Sequence, residues 1–309
     1  MSTISELLQR VRVESPRQVG GLQVFGLRTE MPPVLHYSTL DEAMSRQELE
    51  VSEVTEGGSV PTLKVTNKSA HRVFLMAGEH LVGAKQNRVL NTSIMIEKQS
   101  EVPIPVSCVE QGRWSYRSRN FGSHGTTSHS KLRTMMTSSV TESYCSSATA
   151  QSNQGEVWKE VSRKLDSMGS VSGSHAMEQV YEDHQKNLKD YTQQLTAPEG
   201  CAGAVFVVNG KVVGVDLFDQ PETLQKLWSK LIQGYAIDAL EEARPENLSV
   251  SESCVTEWLD RATKVEPKVF PSPGLGEDIR LKGNEITGAS LVVESQSVHM
   301  QIFADAVAV

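Results

Sequence analysis

Short apolar runs broken by glycine, proline, asparagine and serine dominate the first third of the chain and predict β-strands. A helical interruption is expected at 39–46, capped by Ser38 or Thr39. Pro103 and Pro105 restrict their strand to an edge or bulged position, because proline donates no ladder hydrogen bond. The predicted strands lie at 22–27, 49–54, 60–66, 72–77, 81–84, 89–96 and 102–109.

Helical spacing of apolar residues takes over in the second half of the chain. The pair Asn209 and Gly210 tolerates the positive φ angles of a type I′ turn and predicts a β-hairpin between apolar runs at 204–208 and 211–217. The clearest helix begins at Pro221, because proline suits the first turn. Further helices are expected at 157–165, 177–195 and 255–262, and terminal strands at 289–293 and 298–303.

These elements predict an α+β fold, with an antiparallel, sandwich-like β-rich half packed against a half made of a hairpin and helices. Between the halves, 17 of the 38 residues at 115–152 are serine or threonine, a composition that does not readily bury a core. We interpret 115–152 as a loop, either a lid or a linker. The expected division is a β-rich part at 1–114, this loop, and an α+β part at 153–309 that forms one globular unit with 1–114.

Composition and charge exclude several classes of protein. The 309-residue chain carries a formal net charge of -8, which argues against a nucleic-acid partner, since duplex binders are usually basic. No stretch reaches the roughly 18 to 20 apolar residues of a membrane helix. The four cysteines form no CxxC pair, so free thiols in a reducing compartment are expected. The sequence therefore predicts a soluble cytoplasmic protein.

Residues 78–114 are the most informative stretch, because they mix strand-like apolar runs with charged side chains. Such side chains seldom lie deep in a fold unless they are paired, coordinated or used. The stretch therefore indicates a functional site or an internal polar network. Its polar residues are Glu79, Lys85, Gln86, Asn87, Arg88, Asn91, Cys108, Glu110 and Arg113.

A local excess of positive charge follows this stretch. Residues 112–140 contain no acid but five bases, and Lys85 and Arg88 lie just upstream. Arginine suits bidentate recognition of phosphate, so an anionic, phosphorylated small molecule is the expected ligand. The alternative is that the bases pair internally with Glu79, Glu97, Glu101 and Glu110. The five bases are Arg113, Arg117, Arg119, Lys131 and Arg133.

Candidate catalytic groups lie in the same stretch. Cys108 is a possible nucleophile, with Glu110 on the same face of its strand, although a buried packing cysteine is the commoner case. Glu79 and Glu110 are candidates for acid–base work or for holding a hard cation. The four residues His124, His129, His175 and Cys145 match no metal-ligand spacing, so no metal site is predicted.

Two aspartates near the hairpin exit also stand out. Asp219 is well placed to cap the helix that begins at Pro221. Asp216 lies in an apolar strand and is a candidate to reach the site from the second half of the fold.

The stretches GEHLVGAKQNRVLNTS and VPIPVSCVEQGRW resemble a family of bacterial proteins named for its association with ADP-ribosylglycohydrolases and rhodanese-type phosphatases. The resemblance continues through GEVWKEV, VVNGKVVGVDLF and LWSKLIQGYAIDA. It implies a context of NAD-derived, ADP-ribosyl or phosphorylated substrates. The matching site positions are Glu79, Lys85, Gln86, Asn87, Arg88, Asn91, Cys108, Glu110, Arg113 and Trp114.

Two hypotheses follow. In the first, the chain is an enzyme acting on a nucleotide-derived or phosphorylated small molecule: Lys85, Arg88 and Arg113 bind the anion, Glu79 or Glu110 transfers a proton, and Cys108 attacks. The other ligand-binding candidates are Gln86, Asn87, Asn91 and Trp114. In the second, the chain is a non-catalytic binding or adaptor module whose polar network is structural. The sequence identifies no cofactor.

Overall fold

The computed structural model describes residues 3–30, 35–244, 248–283 and 285–305. No helix among these residues is long and apolar enough to cross a membrane. The helices are α1 (Thr3–Arg10), α2 (Leu40–Ser45), α3 (Ser130–Ser147), α4 (Gln154–Met168), α5 (Glu178–Asp183), α6 (Gln185–Gln194), α7 (Pro221–Glu241) and α8 (Glu252–Thr263). The strands are β1 (Arg12–Val13), β2 (Arg17–Val19), β3 (Leu22–Arg28), β4 (Tyr37–Thr39), β5 (Leu49–Glu53), β6 (Thr62–Asn67), β7 (Arg72–Leu75), β8 (Glu79–Gly83), β9 (Arg88–Leu90), β10 (Ile94–Ile96), β11 (Ser100–Cys108), β12 (Phe121–Thr127), β13 (Gly203–Val208), β14 (Lys211–Phe218), β15 (Lys268–Pro271), β16 (Glu277–Gly283), β17 (Ile286–Val293) and β18 (Gln296–Ala304).

Six strands of the first half close into a barrel in the order β11-β6-β5-β12-β8-β9. The α+β expectation is confirmed, but the sandwich-like arrangement is not what these strands form. Strand β11 pairs with β6 through residues 100–105 and with β9 through residues 106–108, and this second pairing closes the ring. Pro103 and Pro105 lie where β11 pairs only with β6, as expected for an edge position.

The other strands form a nine-stranded sheet and a three-stranded one. The large sheet runs β1-β3-β13-β14-β18-β17-β16-β15, with β2 also paired to β3, and the small sheet runs β10-β7-β4. Strand β3, from the first half of the chain, pairs along β13 from the second half. Apolar side chains of the large sheet pack on α7 in one core and on α1 and α8 in another. A third core fills the barrel and reaches α2.

The Ser/Thr-rich segment is not a loop throughout, because it contains β12 and helix α3. Thr134 and Thr141 donate hydrogen bonds to carbonyls four residues earlier in α3, so their hydroxyl groups are satisfied within the helix. The ridge that packs inward consists of Leu132, Met136, Val140 and Tyr144, spaced four residues apart. The four-residue spacing of this ridge is typical of a helix, whereas the serine and threonine content of the whole segment favoured a loop.

Local signals predicted several elements correctly. Thr39 and Glu42 form the capping box of α2, and α7 begins at Pro221. Asn209 and Gly210 adopt φ angles of 47° and 77°, as a type I′ turn requires. Two predicted elements are each divided in two: the strand at 89–96 becomes β9 and β10, and the helix at 177–195 becomes α5 and α6.

Asp219 does not cap α7, whose N-cap is Gln220 without a side-chain hydrogen bond. Instead, the carboxylate of Asp219 accepts a hydrogen bond from the hydroxyl of Tyr37. Burial raises the pKa of Asp219 to about 6, since desolvation disfavours the charged form.

Asp219→Asn is expected to gain stability relative to the wild type as the pH rises from 4 to 7. The folded wild type keeps its carboxyl protonated up to about pH 6, whereas the unfolded chain releases the proton near 3.8. The stability that the protonated Asp219 gives the folded wild type at low pH is therefore lost as the pH rises from about 4 to above 6. The loss is about 3 kcal/mol at most. Urea unfolding of both proteins at pH 4, 5, 6 and 7 measures the difference. Parallel stability profiles would contradict the raised pKa.

Candidate functional site

Residues 78–114, which we call the polar stretch, build one end of the barrel, where β8, β9 and the end of β11 meet the turn at 84–87. It divides into a set of residues that fix this turn, a set around Arg88, and two residues that lie elsewhere. Each set is held by different partners.

Glu110 and Arg113 fix the turn. The guanidinium of Arg113 donates to the Glu110 carboxylate at 2.6 Å and to the carbonyls of Ala84 and Ser115 at 2.7 and 2.8 Å. The backbone N–H of Asn87 donates to the same carboxylate at 3.0 Å. Burial opposes ionisation of Glu110, but its hydrogen bonds, chiefly from Arg113, outweigh burial and lower the pKa. These residues therefore form an ionised, mutually satisfied clamp.

Arg88 lies opposite Cys108 in the β9–β11 ladder and has no exposed surface. Its Nη1 donates to the Gln86 carbonyl at 2.8 Å, while its Nη2 lies 3.7 Å from a Glu53 carboxylate oxygen. No described residue forms a hydrogen bond with Nε or Nη2 of Arg88, or with either carboxylate oxygen of Glu53. Buried charged groups without hydrogen bonds are costly, so this pair is an electrostatically unsatisfied point inside the barrel end.

The Cys108 thiol is fully buried beside Arg88. Burial raises its pKa to about 11, although the positive charge of Arg88 opposes the shift. The thiol is therefore protonated at neutral pH, which favours a packing cysteine over a thiolate nucleophile. Its catalytic role stays a prediction.

Glu79 and Asn91 lie apart from the clamp. Glu79 pairs with Lys230 of α7 at 2.5 Å, and Lys230 also bonds Asp41 at 2.8 Å. Asn91 donates to the carbonyl of Ala150 at 3.0 Å. Glu79 and Glu110 therefore share no partner, and the structure does not bring them together as a carboxylate pair.

An open groove of about 850 Å³ lies on the outside of the barrel beside this end. Glu53 forms part of one wall, and Tyr116, Arg117 and Arg119 form part of the other. The rings of Trp114 and Tyr116 are about half exposed, and Lys85 Nζ lies 5.0 Å from the Tyr116 ring centroid. We call this feature the groove; its lining residues are Glu50, Ser52, Glu53, Thr55, Glu56, Lys64, Tyr116, Arg117, Ser118, Arg119 and Asn120.

The polar stretch positions the groove wall that carries the cations. The N–H groups of Ser115 and Arg117 donate to the carbonyls of Lys85 and Ala84, at 3.2 and 2.9 Å. The guanidinium of Arg117 is exposed and forms no hydrogen bond or ion pair with any residue the structure describes. The acid-free charge run drew attention to Arg117 and Arg119, whereas no sequence signal identified Glu53 or Tyr116.

Asp216 lies in a different cluster, buried between α3, α7 and the large sheet. Arg133 bonds its carboxylate at 3.0 Å, Tyr235 at 2.8 Å, and His299 Nε2 lies 3.1 Å from it. Burial opposes its charge, but Arg133 outweighs burial and lowers the pKa of Asp216. Ser93 contacts the other nitrogen of His299 at 2.7 Å, giving the order of a serine–histidine–acid relay. All the members are buried, so the cluster serves as an internal polar network.

No group of three or more His, Cys, Asp or Glu side chains in the described part of the chain is arranged to hold a metal ion. His129 pairs instead with Glu160 at 2.9 Å. Burial lowers the pKa of His129, so its imidazole favours the neutral form.

Fold and site together define a mixed α+β protein with a six-stranded barrel and an open groove beside its end, lined by acidic, basic and aromatic side chains. The chain belongs to the ARPP-1 family, described as the ARG and Rhodanese-Phosphatase-superfamily-associated Protein domain, whose model matches residues 10–303. This match confirms the family resemblance seen in the sequence. Neither the curated proteins nor the solved structures contain a match to the chain.

Proposed function

We propose that the chain binds a phosphorylated, nucleotide-derived small molecule in the groove. The proposal rests on Arg117, whose backbone N–H bonds to the Ala84 carbonyl and whose exposed guanidinium bonds to no described residue. Arginine presents a planar set of donors that matches phosphate oxygens.

The rest of the groove suits the other parts of a nucleotide. The exposed ring of Tyr116 offers a face on which a base can stack. Arg119 is a second exposed arginine of the groove, two residues from Arg117. The family's association with ADP-ribosylglycohydrolases supports an ADP-ribosyl compound as ligand.

Binding is supported better than catalysis. Glu110 and Arg113 bond each other and the turn, Glu79 bonds Lys230, and the Cys108 thiol is protonated. These contacts favour a structural role for the polar stretch, as in the adaptor hypothesis, combined with a ligand site beside it. An enzymatic role would need a reacting group on the groove itself.

Arg117→Ala is expected to weaken ADP binding about ten- to a hundredfold, since a hydrogen bond to a charged group contributes roughly 1.5–3 kcal/mol. Titration calorimetry with ADP, AMP and ribose 5-phosphate measures the affinity. Arg261→Ala is the matched control, because Arg261 is an exposed arginine of α8 that does not line the groove. If no phosphorylated compound binds the wild type at millimolar concentration, the groove is not a nucleotide site.

A further inference from the structure

A second cavity, of about 480 Å³, lies next to the groove. Its walls come from the barrel end, from the segment that carries Arg117, and from the 172–182 segment. Arg117 lines both spaces. A ligand part bound in the groove and another bound in the cavity would therefore meet at the same guanidinium.

The buried carboxylate of Glu178 lines the cavity. Glu178 is 3% exposed, and its Oε2 accepts from the Asn87 side chain at 2.8 Å. Its Oε1 accepts no hydrogen bond from any described residue and lies 3.1 Å from His80 Nδ1. His80 is itself held through its other nitrogen by Ser128 at 2.8 Å. The carboxylate is thus fixed in the wall by Asn87 and His80, and Oε2 keeps a second lone pair that can accept from a ligand hydroxyl.

The charges of the two spaces differ. In the groove the three bases Lys64, Arg117 and Arg119 balance the three acids Glu50, Glu53 and Glu56, so the formal charges of its lining sum to zero. The cavity has Glu178 and Glu182 beside Arg117, and burial lowers the pKa of its His124, which favours the neutral imidazole. An anionic group is therefore disfavoured deep in the cavity, whereas a neutral sugar with hydroxyl donors suits it.

We propose that the groove and the cavity form one site for a ligand with a central diphosphate between two sugar-bearing ends. This inference rests on the proposed function. The diphosphate lies at Arg117, the nucleoside lies in the groove, and the second sugar lies in the cavity, where its hydroxyls donate to Glu178. ADP-ribose has this chemistry, and ADP has only the groove half of it.

The wild type is therefore expected to bind ADP-ribose about tenfold more tightly than ADP, the gain from one hydrogen bond to a charged acceptor. Gly173→Phe should remove this gain without changing ADP affinity, because it fills the cavity. Gly173 lines the cavity, its backbone is not left-handed, and a Cβ there meets no heavy atom within 4 Å. Gly122→Phe is the matched control: Gly122 is equally open but lines a different pocket.

Calorimetry of both ligands with the three proteins decides the matter. Loss of the ADP-ribose gain in Gly173→Phe alone supports the two-part site. An unchanged ADP-ribose affinity in Gly173→Phe, or a wild type that binds both ligands equally, overturns it while leaving the groove intact. If neither ligand binds the wild type, the proposed function fails, and the two-part site fails with it.

Discussion

Arg133→Met is expected to lower the free energy of unfolding by about 3–5 kcal/mol, because it leaves the buried carboxylate of Asp216 without its cation. Asp216 has no exposed surface, and Arg133 also bonds Gln301 at 2.8 Å. Methionine keeps the apolar stem, so the change isolates the charge. Denaturant unfolding at pH 7 and 25 °C measures the loss.

Lys131→Met is the matched control, since Lys131 is an exposed cation on the same helix, 3.8 Å from Glu160. It should cost less than about 1 kcal/mol. The double variant Arg133→Met with Asp216→Asn should recover part of the loss, because no unpaired charge remains buried. A loss below about 1 kcal/mol for Arg133→Met would mean that the cluster contributes little to stability.

Arg113→Met is expected to be the second most damaging change, at about 3 kcal/mol or more, because it leaves the fully buried carboxylate of Glu110 without its cation. The change also removes the donors to the carbonyls of Ala84 and Ser115, so the groove wall should loosen. Denaturant unfolding gives the stability, and hydrogen exchange of residues 114–120 reports the loosening.

A partial recovery is expected when Glu110→Gln is added to Arg113→Met, since the glutamine is neutral and still accepts from the Asn87 N–H. Unchanged exchange at 114–120 in Arg113→Met, together with wild-type stability, would show that the clamp does not hold the wall.

The predictions of caps, turns and helix starts that the structure confirms came from short sequence motifs. The capping box at Thr39, the turn at Asn209 and the start of α7 at Pro221 each depend on residues close in sequence. Helix α3 was missed because its serine and threonine content outweighed the apolar ridge that begins at Leu132. Closure of the barrel depends on pairing Arg88 with Cys108, which no local pattern specifies.

The site was predictable only where its partners are neighbours in the sequence. The proposed internal pairing of acids with bases holds for Glu110 and Arg113, three residues apart. The other acids pair with bases far along the chain or outside the charge run: Glu79 with Lys230, and Glu101 with Lys64. Long-range partners of this kind are set by tertiary packing, which a single sequence does not reveal.

We propose that the polar stretch holds the groove and that Arg117 binds the ligand. ADP affinity by calorimetry and the free energy of unfolding, both measured for the Arg117→Ala variant, separate a binding role of Arg117 from a structural one. We expect the variant to lose about ten- to a hundredfold in affinity, with a stability change within about 0.5 kcal/mol. An Arg117→Ala variant that binds ADP as the wild type does would contradict the proposal.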